Sequence, residues 1–156
     1  MALPTDRNPV ATAFAEGIRL FNDHRFFEAH EAWETAWMKS EGRERMFYHG
    51  LIQAAAAFVH LQNNRRKGAQ LLYGKSLDKL RSFSGIYKGL SIGRLNAELA
   101  DVFAGVLSEP AETPIDGASY VARAPQIEWS GQLETETETA ASPPAPVFLK
   151  DETRRG

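Results

Sequence analysis

The chain is predicted to be all-α: a compact bundle of about five helices followed by an extended C-terminal tail. Two observations carry the helical reading. From Phe14 to Val106 apolar residues recur at the three- and four-residue spacing of helix faces. Within that stretch, His49 to Leu61 (HGLIQAAAAFVHL) is apolar on almost every side, as a helix in the middle of a domain must be. A third observation sets the limit: six prolines after Glu109 exclude long helices there.

Residues 1–10 hold two prolines and read as a loose arm. Pro9 or Thr12 is suited to begin the first helix, whose Phe14, Ile18 and Phe21 keep one face. Asn22-Asp23-His24 breaks it. A second helix is expected from about Arg25 to Lys39, with Phe26, Phe27, Ala29, Trp33, Ala36 and Trp37 as candidate inward residues. The short Ser40-Glu41-Gly42 turn favours an antiparallel hairpin with the central helix, Arg43 to Gln62. Asn63-Asn64 ends that helix, and a fourth follows from about Arg65 to Ser82. Phe83 to Ile92, with Gly85 and Gly89, reads as a loop. A fifth helix, about Ser91 to Leu107, places Leu95, Leu99, Val102, Phe103 and Val106 inward. The helical domain thus spans 11–109. Residues 110–129 are expected to lie back on it as an extended segment, through Tyr120-Val121 and Ile127 to Trp129. Residues 130–156, rich in Pro, Glu and Thr, are expected to be a disordered tail, with Val147-Phe148-Leu149 as its one apolar cluster.

An offset of forty residues lays Asp23-His24-Arg25 on Asn63-Asn64-Arg65, Ala29 on Ala69, and Trp33 on Tyr73. If this marks a duplication, the domain holds two tetratricopeptide-like hairpins; ordinary helix-turn-helix grammar is the alternative.

The 156 residues, 43% hydrophobic and 24% charged, suit one globular domain with a real core. A net charge of -2 argues against a general polyanion binder. The absence of cysteine excludes disulfides, thiolate zinc sites and a cysteine nucleophile, and fits a cytoplasmic location. No apolar run approaches the ~20 residues of a membrane span, and no cationic start precedes an apolar stretch, so neither a membrane partner nor a signal peptide is expected.

Chemistry concentrates on the second helix, in Glu28, His30, Glu31 and Glu34 with Trp33 and Trp37 between them. His30 and Glu34 are four apart and share a face. Folding the hairpin at Gly42 brings His30 level with about Gln53 and Glu34 level with about His49. His60 falls about two turns further on, toward Asp23 and His24. Three chemistries suit this set. His30, Glu34 and His49 offer two imidazoles and a carboxylate, which zinc or iron would accept. Glu31 or Glu34 could orient His30 for proton transfer. A buried network of Glu34, His30 and Gln53 could fix the register of two helices. The zinc-protease pattern is absent, because Glu34 stands where its second His would be. Separately, Arg65 to Arg94 holds eight bases against one acid, Asp78. Arg65, Arg66 and Lys67 open a helix there, where an anion or RNA backbone could bind.

The run FFEAHEAWETAW, then Arg45, then GLIQAAAAFVH, then NNRRKGAQLL resembles the domain of unknown function 309 family, small all-helical proteins of bacteria, archaea and plastids. The resemblance covers about Leu20 to Leu80. Its motif falls on His30, Glu31, Glu34, Trp37, Gly50, Leu51, Ile52, Gln53, Gly68 and Ala69. Where the family usually has Gly-Asn, this chain has Asn63-Asn64, which tolerates the same left-handed turn. Pro125-Gln126-Ile127 resembles the Pro-x-Ile ending of many members. The resemblance implies a helical fold and a His30/Glu31/Glu34/Gln53 unit in space; it implies no substrate.

The leading expectation is a cytoplasmic binding or interaction module without catalysis or a cofactor. In it His30, Glu31, Glu34, Trp37 and Gln53 form the ligand-binding set, with a protein or small molecule as partner, and the cluster is buried and fully paired. One alternative is a metal-dependent or acid-base hydrolase-like enzyme using His30, Glu31 and Glu34. The other is an anion or RNA binder through Arg65, Arg66 and Lys67. Self-association through exposed aromatic residues is left open.

Overall fold

Helix α1 (Pro9–Asn22) begins where Asn8 accepts the Ala11 amide at 3.0 Å and Pro9 occupies the first turn, a position that needs no N–H. The computed structural model describes residues 8–130. The expected arm up to residue 7 and the expected tail from 131, with Val147-Phe148-Leu149, lie outside the described residues. Then come α2 (Phe26–Met38), α3 (Gly42–Gln62) and α4 (Arg66–Leu80). A short hairpin, β1 (Ile86–Tyr87) and β2 (Leu90–Ser91), leads into α5 (Ile92–Leu107) and the one-turn α6 (Gly117–Val121).

The two turns that sequence places forty residues apart are built alike. His24 and Asn64 both take positive φ, 61° and 57°. His24 N–H donates to Phe21 and Arg25 N–H to Leu20; forty residues on, Asn64 donates to Leu61 and Arg65 to His60. The following helices are anchored identically, Ala29 N–H on Arg25 and Ala69 N–H on Arg65. A left-handed residue lets the chain reverse while the last carbonyls of the helix stay paired. Asn and His are both among the non-glycine residues enriched in that conformation.

Successive helices pack as neighbours: α1 on α2, α2 on α3, α3 on α4, α4 on α5, with α6 against α3. Trp33 is the largest fully buried side chain, and its indole N–H donates to the Phe14 carbonyl at 3.1 Å. Gly17 makes room for it, since a Cβ there would stand 2.1 Å from the indole nitrogen. Phe58 of α3 touches Phe21, Phe26 and Phe103, tying α1, α2 and α5 to the centre. At Gly50 the α4 residue Leu80 comes so close that a Cβ would meet it at 2.7 Å, and Ser76 donates to the Gly50 carbonyl at 2.8 Å.

Two features depart from expectation. The loop 83–92 contains the β-hairpin, whose turn residues Lys88 and Gly89 have φ of 51° and 83° between paired Tyr87 and Leu90. Positive φ at both positions is the geometry of the tight hairpin turn whose twist matches its strands. Lys is a weak signal for it, and the turn is held from outside: Trp129 donates its indole N–H to the Lys88 carbonyl. Tyr120 and Val121, expected to be extended, belong to α6. That turn forms because Gly117 seats on the end of α3, its amide donating to Asn64 Oδ1 at 2.9 Å. A side chain would collide there, as a Cβ would lie 1.6 Å from the Leu61 carbonyl oxygen. Beyond it, Asn22 grips Ile127 reciprocally, donating to its carbonyl at 3.0 Å and accepting its amide at 2.7 Å.

Candidate functional site

The buried sides of α2, α3 and α4 are Phe26, Ala29 and Trp33; Phe47, Leu51 and Phe58; Ala69, Tyr73 and Ser76. The opposite stripes differ. On α2 they hold Phe27, His30, Glu34 and Trp37, on α3 His49, Gln53, Ala56 and His60, and on α4 Gly68, Leu72, Lys75 and Lys79. Each set recurs at three or four residues and so shares one face of its helix. Except for Gln53, all of these side chains keep some solvent exposure. The three stripes make one open face, with α3 as its floor.

At its centre His30 Nε2 meets Glu34 Oε2 at 3.1 Å. The other ring nitrogen, Nδ1, is buried and has no partner among the described residues. Gln53 is 8% exposed, and its Oε1 is likewise buried and unpaired. The cluster was expected to be buried and fully paired; it is neither. Glu34 remains 46% exposed, and two polar atoms are unsatisfied. Glu34 pairs with His30 on its own helix and makes no hydrogen bond to Gln53. Glu31 points outward and has no ion-pair or hydrogen-bond partner among the described residues.

His49 is not brought to His30 and Glu34. Its ring packs on Trp37 at 5.5 Å, while Arg45 lays its guanidinium over the same indole at 4.0 Å. Among the described residues no group of three or more His, Asp or Glu side chains is arranged to hold a metal ion. The His30/Glu34/His49 trio is therefore not assembled, because α3 turns His49 toward the α4 lysines.

His60 was expected near Asp23 and His24. Instead its ring lies against α4, where a Cβ on Gly68 would come within 2.2 Å of its Nδ1. It borders a cavity of about 510 Å³ with Asn64, Arg65, Lys67, Gly68 and Leu71. Arg66, expected to bind anions here, faces inward. Its Nε donates to the Thr113 carbonyl at 3.0 Å and its Nη1 to the carbonyls of Val106 and Gly105, closing the end of α5. Of the three bases, Arg65 and Lys67 stay exposed.

Burial, followed by neighbouring Arg65, holds the His60 imidazole below its ordinary value; burial, followed by Lys79, Arg45 and Lys75, does the same to His49. A histidine with a depressed folded pKa takes its proton later than the unfolded chain does, so falling pH favours unfolding. The loss begins as pH drops past about 6.5, the ordinary imidazole value, and nothing is contributed above it. Urea midpoints of the His60→Gln variant are expected to depend less on pH than the wild type across this window. An unchanged pH dependence would show that His60 does not titrate into the folding equilibrium.

A second cavity of about 300 Å³ lies between α1 and the α2–α3 turn, with Tyr48, Glu44 and Lys88 on its wall. These satisfy one another: Lys88 Nζ lies 2.9 Å from Glu44, and the Tyr48 hydroxyl, its pKa raised by burial and then by Glu44, donates to that carboxylate at 3.3 Å. Sequence spacing gave no sign of this trio, because Lys88 reaches it only through the β-hairpin.

Fold and site together define a class: an all-helical domain of consecutive hairpins with one open face carrying histidine, glutamate, tryptophan and glutamine. Residues 14–72, from α1 to the middle of α4, match the family model described as Domain of unknown function (DUF309). Of the motif residues, Gly50, Leu51, Ile52 and Ala69 are buried in the packing, while His30, Glu34, Trp37, Gln53 and Gly68 lie along the open face. None of the curated proteins compared with the chain matches it. Among the described residues no helix is long and apolar enough to cross a membrane.

Proposed function

We propose that this domain is a non-catalytic, cytoplasmic binding module whose ligand or protein partner seats on the open α2–α3–α4 face. One observation supports the reading above the rest: His30 Nδ1 and Gln53 Oε1 are buried without partners on that face. Unpaired buried polar atoms are costly, and structural networks avoid them. A ligand offering a donor to Gln53 would remove that cost. Phe27, expected to face inward but 54% accessible, and Met38, 64% accessible, extend the α2 edge with apolar area suited to a peptide or helix. Proton-transfer chemistry is less well served. His30 Nε2, the ring nitrogen nearer to solvent, is already engaged by Glu34 at 3.1 Å.

The test is an NMR screen of a small polar-fragment library on the wild type and on Gln53→Leu. Leucine keeps the volume and removes an unsatisfied atom, so this variant is expected to unfold within about 1 kcal/mol of the wild type, yet to lose the fragments that perturb His30 and Trp37. Fragments that bind both proteins equally would refute the role of Gln53.

A further inference from the structure

At the Trp37 end of the same face, four basic side chains from two helices converge. Arg45 and His49 stand one turn apart on α3; Lys75 and Lys79 stand one turn apart on α4. The helices touch at this level, where a Cβ on Gly50, next to His49, would lie 3.3 Å from Lys79 Cβ. Among the described residues none of Arg45, Lys75 and Lys79 has an ion-pair partner. Asp78, the acid that acts on Lys79, is paired with Arg81 at 3.1 Å. Like charges one helical turn apart repel, and a fold gains nothing by collecting them. Several other bases are paired within their own helix or its cap, as in Arg19–Glu16, Arg25–Glu28 and Arg94–Glu98.

We propose that Arg45, His49, Lys75 and Lys79 form a binding site for a compact oxyanion of charge two or more, a phosphoryl group or clustered carboxylates, with Trp37 as its wall. Arg45 is held over the Trp37 ring, which fixes its guanidinium plane and leaves its edge for paired hydrogen bonds to oxyanion oxygens. The two lysines add point charge from the opposite helix. His49 sits between them and supplies a further N–H donor to a bound anion when protonated. The groups that face it are Arg45 on its own helix, Lys75 and Lys79 on α4, and the uncharged Trp37 on α2. The site assigns a chemistry to one end of the proposed binding face and rests on that reading for its place in the function.

The experiment titrates the full chain with inorganic phosphate and, separately, with citrate, following the His49 ring protons and the Trp37 and Arg45 side-chain N–H signals by NMR. Saturable shifts of these three are expected, with the His49 protonation midpoint rising when the anion is bound. Lys75→Gln/Lys79→Gln should weaken binding by about tenfold or more, while its thermal midpoint holds. Lys67→Gln, at the far end of α4, should leave binding unchanged. Phosphate alone would identify a phosphoryl ligand and citrate alone a carboxylate one, each supporting the site. If neither moves His49, or if Lys67→Gln abolishes binding while the double variant does not, the proposal is overturned. The titration reads His49 and the α4 lysines whereas the fragment screen reads Gln53, so failure of this titration is separable from failure of that screen.

Discussion

Replacing Trp33 by alanine is expected to lower the unfolding free energy by about 3–5 kcal/mol, the range for truncating a buried aromatic residue. The side chain is fully buried, contacts Phe21 at 5.9 Å between ring centroids, and donates to the Phe14 carbonyl. The hole left behind cannot close cheaply. Gly17 has no side chain to move into it, and α1 is tied at its end by Asn22 to Ile127. Against the ~5–15 kcal/mol that hold a typical domain together, this loss is large. Trp33→Phe separates the terms, because it keeps most of the apolar volume and loses the hydrogen bond. It should cost about 1–3 kcal/mol, the Phe14 carbonyl losing the indole donor while its place inside α1 keeps its helical one. Guanidinium unfolding curves of the two variants measure both. A Trp33→Ala midpoint close to the wild type would mean that α1 is not packed on α2 as described.

The second large effect is expected at Arg66. Its guanidinium is 94% shielded in residue terms (6% exposed) and serves carbonyls at the end of α5 and in the following loop. Gly105 also accepts from the Ser108 amide and hydroxyl and Val106 from Gln70, so the Thr113 carbonyl is the one that relies on Arg66 most. Arg66→Met keeps much of the aliphatic stem and removes the charged donor that ties α5 to the following loop, at about 1.5–3 kcal/mol. Arg66→Lys should recover little, since an ammonium cannot reproduce the planar fork that reaches two carbonyl groups in different directions. Hydrogen exchange should quicken at the end of α5 and through residues 109–117 before it changes in α1 and α2. Uniform loosening would place the effect in the core rather than in this cap. This role removes Arg66 from the anion-binding set, although its two neighbours remain exposed.

The helical framework was legible because it rests on local rules. Apolar spacing placed all five long helices to within a residue or two of their observed ends. Asn63-Asn64 signalled a left-handed reversal, and Asn64 takes φ 57°. The motif around His30 and Gln53 was recognisable as a family trait, and the family model covers it. The site was legible only in part. Helical spacing shows that His30 and Glu34 can meet, and they do. It does not show how far α2 is rotated about its axis, and that rotation leaves Glu34 half open and Gln53 Oε1 unpaired. Nor does it reveal that His49 faces Lys75 and Lys79, residues of a different hairpin.

By itself the sequence determined the all-helical class, the order of the five long helices, the reversal points between the first four and the residue types available for recognition. Each depends on interactions between residues a few positions apart, whose free energies follow from propensity, spacing and turn chemistry. Only the tertiary structure decided the β-hairpin turn at Lys88-Gly89, the seating of Gly117 on Leu61, the inward course of Arg66 and the meeting of four bases at Trp37. Those depend on contacts between distant segments. Whether such a contact forms is set by the close packing of a whole core, and no local pattern records that.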